Sequence, residues 1–357
     1  MKLSVGEWVE VRSKQEILAT LDEQGQLEGM PFMPEMFAYC GQRFRVYKRS
    51  HKTCDTVFPT RSRKINNAVH LETRCDGRAH GGCEARCLIF WKEAWLKPAD
   101  GNSNSPQAGP ITGNGCTEEA VERATRRQEN GEDSNPTYVC QATRLPYFSQ
   151  DLSPYDFRQY VEDYTSGNVS LARWLCGMIY ITYHNLIKLG IGLGRPLRWF
   201  YDRFQKLTGG LPYPRWWGKI AKGQPTPTAD LGLREGDWVK VKSYEEILAT
   251  CTEDNKNRGL LFDGEMMPYC GRVFRVHKRV TRIINEQTGK MMTMKNPCII
   301  LENVVCQARY SDCRMFCPRE IYPYWREVWL ERVADPSLTP DKRLVRSPQE
   351  EAQTIRA

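Results

Sequence analysis

The sequence predicts a β-rich α+β protein: two tandem small β barrels separated by a flexible linker and a helical insert. Three observations carry this reading. Residues 6–49 and 236–279 align without a gap at an offset of 230. Both copies alternate apolar and polar residues with the period of a half-buried strand. Between them, at 171–186, apolar residues recur at helical spacing.

The first copy opens Gly6-Glu-Trp8-Val9-Glu-Val11-Arg-Ser13, and the second Gly236-Asp-Trp238-Val239-Lys-Val241-Lys-Ser243. Val9/Val11 and Val239/Val241 alternate with polar neighbours, so each pair predicts a strand. Ser13 and Ser243 precede Glu16 and Glu246 by three residues, the spacing of a capping box at the start of a short helix ending near Thr20 and Thr250. Phe44-Arg-Val46 and Phe274-Arg-Val276 predict a further strand, as do Val69-His-Leu71 and Ile299-Ile-Leu301. Each copy closes on a tryptophan pair, Trp91/Trp95 and Trp325/Trp329. Several short strands and a closing aromatic segment suggest a small barrel. The opening Gly-x-Trp-Val-x-Val resembles the first strand of SH3-like barrels, which implies two SH3-like repeats, over 1–97 and 232–334.

Residues 98–137 read as a linker too polar to offset ordering entropy, with a short helix from Thr117 to Gln128. Residues 138–222 read as a helical insert: Ser153-Pro154 is a helix start, and Gly190, Gly192 and Gly194 end the apolar run. Residues 335–357 read as a mobile polar tail.

Four cysteine positions are shared by the copies: Cys40, Cys75, Cys83 and Cys87 match Cys270, Cys306, Cys313 and Cys317. Four thiolates satisfy a closed tetrahedral zinc site, so the spacing predicts about two structural zinc ions per chain. A structural zinc is a strong staple for a small β domain. An iron–sulfur cluster suits the same donors, although the spacing matches no ferredoxin run. Buried unliganded thiols are the plain alternative. Cys54, His80, Cys298 and His277 are further donors in one copy or the other, and His80 aligns with Tyr310. Cys54 has no equivalent in the second copy, so neither it nor His80 is expected in the shared four-cysteine site; an open or five-donor site special to the first copy is the alternative use for them. Val139-Cys140-Gln-Ala142 echoes Val305-Cys306-Gln-Ala308.

The N-terminus lacks a basic-then-apolar signal segment, so a cytoplasmic protein with reduced thiols is expected. Net charge +8 permits an anionic partner without demanding one. From Arg195 to Lys222, seven basic residues lie among Trp199, Phe200, Tyr201, Phe204, Tyr213, Trp216 and Trp217. That mixture suits nucleic acid or a peripheral membrane surface, and equally a packed insert with solvated cations. His184, Asn185 and Lys188 argue against a spanning helix. No phosphate loop, His-Glu-x-x-His or Gly-x-Ser-x-Gly motif occurs. The expectation is a non-enzymatic, metal-stapled binding or scaffold protein whose protein partner touches the repeats or the insert. The alternatives are a nucleic-acid binder and a metal- or thiol-dependent enzyme centred on the first repeat.

Overall fold

The computed structural model describes residues 2–58, 60–99, 115–127, 136–214, 217–311 and 313–336. Most of the expected linker and tail, together with Arg215 and Trp216, lies outside the described residues. The architecture is mixed α/β, with many short antiparallel strands and few helices. The chain divides into two compact units. Unit 1 comprises Met1–Ser170, Arg282–Thr293 and Phe316–Ile321; unit 2 comprises Leu171–Thr281, Met294–Met315 and Tyr322–Ala357.

In unit 1, strand Trp8–Val11 lies between Leu96–Pro98 and Arg43–Arg45, with Val9 opposite Phe44 and Val11 opposite Leu96. In unit 2, strand Trp238–Val241 pairs in the same register, Val239 opposite Phe274 and Val241 opposite Leu330. Alternation fixes this register, because a one-residue slip would turn the buried valines to solvent. All four valines are fully buried. Helices Lys14–Leu18 and Tyr244–Leu248 both begin with a complete capping box on Ser13 and Ser243.

Each core closes on its tryptophans. Phe32 meets Trp91 and Trp95 edge-on, and Phe262 meets Trp325 and Trp329 in the same way. Both closing indoles donate to a threonine hydroxyl: Trp95 Nε1 to Thr20 at 3.1 Å and Trp329 Nε1 to Thr250 at 2.8 Å. Buried indole N–H groups need such a partner.

Unit 1 adds a sheet in the order Lys48–Arg49, Ala68–Arg74, Leu88–Lys92, and another in the order Ser149–Leu152, Ser62–Ile65, Lys52–Cys54. The residues expected to form one helical insert divide between the units at Ser170/Leu171. Helix Arg158–Thr165 belongs to unit 1, and helices Leu171–Lys188 and Gly194–Thr208 to unit 2. The first of these starts four residues after Pro154. Ser153-Pro154 instead opens a turn, and the Asp156 carboxylate accepts the Arg158 amide where the helix begins. Helix Glu118–Ala124, capped by the Thr117 hydroxyl, forms within the segment read as linker.

Candidate metal centre

The candidate donors sit at the edges of regular elements in unit 1. Glu35 lies in the 3-10 helix Pro34–Tyr39, started by a proline at its first position. Cys75 directly follows strand Ala68–Arg74, and Cys87 directly precedes strand Leu88–Lys92. The Cys75 amide donates to the Cys87 carbonyl at 2.9 Å and closes the neck of the loop between them. Within the loop, His80 ends a 3-10 turn bracketed by Gly77 and Gly81, both left-handed. Glycine is required at Gly77 twice over: its φ is +74°, and a Cβ there would meet the Cys83 carbonyl oxygen at 2.0 Å.

Glu35, Cys75 and His80 each place a donor atom within 4.8 Å of the other two, and among the described residues no other group of three or more does so. His80 Nδ1 lies 2.7 Å from Glu35 Oε1, and the Cys75 thiol donates to the same oxygen at 3.6 Å. His80 Nε2 donates to the Val139 carbonyl at 3.1 Å. Both ring nitrogens therefore face acceptors. His80 is 1% exposed, and the Glu35 side chain 5%. Burial raises the Glu35 carboxyl, but the His80 hydrogen bond and charge overcome this and hold it below its ordinary value. The second oxygen, Glu35 Oε2, is buried without a hydrogen-bond partner.

Beside this triad is a cavity of about 40 Å³ lined by Cys75, His80, Cys83, Cys87 and Cys140. A space of this size can hold a water or an ion. Amides are aimed at three of the sulfurs: Gly77 N–H at Cys75, Ala85 and Ile284 N–H at Cys83, and Thr143 N–H at Cys140. Such bonds favour the thiolate. Burial opposes them and raises all four thiols, Cys87 to about 12 and Cys140 to about 11. As free thiols these groups are poor nucleophiles at neutral pH, whereas a divalent cation would ionise them. Arg319, 2% exposed, supplies positive charge beside Cys87, Cys54 and Cys317. Its guanidinium bonds Glu286 at 3.2 Å and the Cys54 carbonyl at 3.3 Å.

The predicted ligands have the following surroundings. Cys75, Cys83 and Cys87 line one cavity, but Cys40 is not on it. Cys40 packs against the core beside Lys14 and Glu118. Its partner by alignment, Cys270, likewise packs on the core of unit 2, with its sulfur 4.0 Å from the Met266 carbonyl. Cys306 lies near Tyr269 in unit 2, Cys313 also belongs to unit 2, and Cys317 belongs to unit 1, where its sulfur accepts the Cys54 amide at 3.2 Å. Cys298 is buried and accepts from Arg326 at 3.3 Å. Glu35 and Cys140 are not among the donors expected from the sequence. Both left a signal: Glu35 recurs as Glu265 at the repeat offset, and Cys140 lies in the segment that echoes Val305-Cys306-Gln-Ala308.

The comparisons with known proteins name no relative: no family model matches the chain, and no curated protein matches it.

Proposed function

We propose that the first copy binds one thiophilic divalent ion, zinc by preference, through Glu35, Cys75 and His80. Cys140 or Cys87 would complete four donors. The supporting observation is a buried carboxylate oxygen left unpartnered beside a thiol and an imidazole whose donor atoms already lie within 4.8 Å of one another. An unsatisfied buried carboxylate oxygen is costly, and an ion would satisfy it. The Val139 carbonyl fixes His80 so that Nδ1 faces the ion, an orienting contact of the kind that metal-bound histidines make. Oxygen and nitrogen donors beside sulfur suit zinc better than an iron–sulfur cluster.

On this reading the ion is a staple, and the chain is a non-enzymatic binding or scaffold protein built on two copies of one small SH3-like barrel. A reducing compartment such as the cytoplasm suits its fourteen cysteines, none of which forms a disulfide. The raised thiols favour a structural ion over thiol catalysis.

Elemental analysis of freshly purified, reduced protein tests this. About one zinc per chain is expected, absent from Cys75→Ser and His80→Ala but retained by Cys40→Ser. Folded wild-type protein free of metal would refute it.

A further inference from the structure

The two long helices of unit 2, Leu171–Lys188 and Gly194–Thr208, form a hairpin with two unlike sides. The inner side is aromatic and fixed. Tyr180 packs edge-on to Tyr201 and to Tyr310, and Tyr183 donates its hydroxyl to the Leu197 carbonyl at 2.5 Å. Asp202 accepts the Tyr213 amide at 2.8 Å, and Arg173 donates to the Gln307 carbonyl at 2.5 Å.

The outer side is apolar and open. Leu175, Ile179 and Leu186 form a stripe along the first helix, with Ile179 68% exposed. At the tip, Leu189, Ile191 and Leu193 alternate with glycines, and Ile191 is 66% exposed. Gly190 and Gly192 have positive φ, which turns the chain sharply enough to project these side chains. The second helix shows Trp199, Phe200, Phe204 and Leu207, the last 80% exposed. So many large apolar side chains left exposed on two packed helices and the turn between them point to an interaction site.

The charges select the occupant. From Lys188 to Leu207 the chain carries Lys188, Arg195, Arg198, Arg203 and Lys206 against one acid, Asp202, which is held by the Tyr213 amide. A two-fold contact with a second copy would set these cations against their own equivalents, so self-association is disfavoured. Single-stranded nucleic acid would use the rings and cations but not the aliphatic stripe or tip, because bases stack on flat groups. An anionic bilayer uses all three: aliphatic side chains among the acyl chains, Trp199 at headgroup depth, and cations at the phosphates. Neither helix is long and apolar enough to cross the membrane.

We propose that this hairpin is a peripheral anchor that seats its tip and outer face in the interface of an anionic lipid bilayer. It rests on an observation independent of the metal site. The test is flotation of the full-length, reduced protein with phosphatidylcholine vesicles, with and without phosphatidylserine. Wild type floats with the anionic vesicles and binds neutral ones roughly tenfold or more weakly. Ile191→Asp with Leu193→Asp abolishes flotation. Arg203→Glu with Lys206→Glu removes the preference for anionic lipid. All four positions are solvent-facing, and an unchanged circular dichroism spectrum verifies folding. Failure of wild-type protein to float overturns the proposal, as does undiminished flotation of the Ile191→Asp, Leu193→Asp variant. An oligonucleotide mobility shift, or concentration-dependent self-association, without flotation assigns the face to nucleic acid or a second copy and equally overturns it.

Discussion

Glu35 and Glu265 stand at the same position of the two copies and have different surroundings. In the second copy, Glu265 accepts the Arg309 amide at 2.9 Å and the Tyr310 amide at 2.6 Å, one on each oxygen. Burial, the largest influence, raises its carboxyl and outweighs the two backbone hydrogen bonds and the nearby Arg314 charge, which lower it. In the first copy, His80 replaces Tyr310 by alignment, its ring takes one oxygen of Glu35, and the other oxygen has no partner. One carboxylate is closed by backbone, and the other is left open beside sulfur and imidazole. The acid at this position thus holds a loop through backbone amides in the second copy, and in the first it keeps one oxygen open beside a thiol and an imidazole.

The sharpest way to break this comparison is chelation, which on the proposed reading strips a zinc ion from the first copy. Chelation should destabilise unit 1 by about 10 kcal/mol or more in apparent terms, enough to unfold it. Hydrogen exchange should then lose protection in strand Ala68–Arg74 before strand Trp238–Val241. Glu265→Gln should leave the metal content unchanged, whereas Glu35→Gln should lower it.

A second contrast is titratable. His70 is fully buried in unit 1, with Nδ1 donating to the Ile89 carbonyl at 2.8 Å, and burial depresses it from 6.5 to about 3. Its counterpart by alignment is Ile300, which cannot titrate. The unfolded chain binds this proton more readily than the folded one, so the contribution is complete above about pH 6.5 and is lost progressively toward pH 3. Acid unfolding should cost unit 1 several kcal/mol across that window, at about 1.4 kcal/mol per pH unit. His70→Ile should flatten the dependence as measured by urea titration.

The ion pair common to both copies differs in burial. Arg49 Nη1 meets Glu93 Oε1 at 2.6 Å with side chains 7% and 5% exposed, whereas Arg279, paired with Glu327, is 32% exposed. Glu93→Gln should cost about 3 kcal/mol and Glu327→Gln roughly 1–2, because water screens the second arginine. Equal losses in chemical denaturation would contradict the difference in burial. The smallest effect should be the same in both copies: Ser13→Ala and Ser243→Ala each remove a capping box and should cost about 1 kcal/mol.

Much of the fold was legible because it depends on local chemistry. Alternating valines, capping boxes and closing tryptophans state their roles within a few residues. The site was legible only in part. Cys75, Cys83 and Cys87 are close in sequence and meet in space. Cys40 was grouped with them because it recurs in both copies, but recurrence also follows from packing, and both Cys40 and Cys270 pack on a core. Cys140 comes from beyond the first copy, and no spacing rule connects it to Cys75. The amphipathic hairpin was visible as periodicity, but which of its faces stays uncovered depends on where the tyrosines anchor it.

Zinc K-edge absorption of the full-length, reduced protein tests the open first-copy site most directly. About one zinc per chain in a mixed shell of sulfur with nitrogen or oxygen, shifting on His80→Ala, is the expected result. A shell of sulfur alone, indifferent to His80 and Glu35, would contradict it.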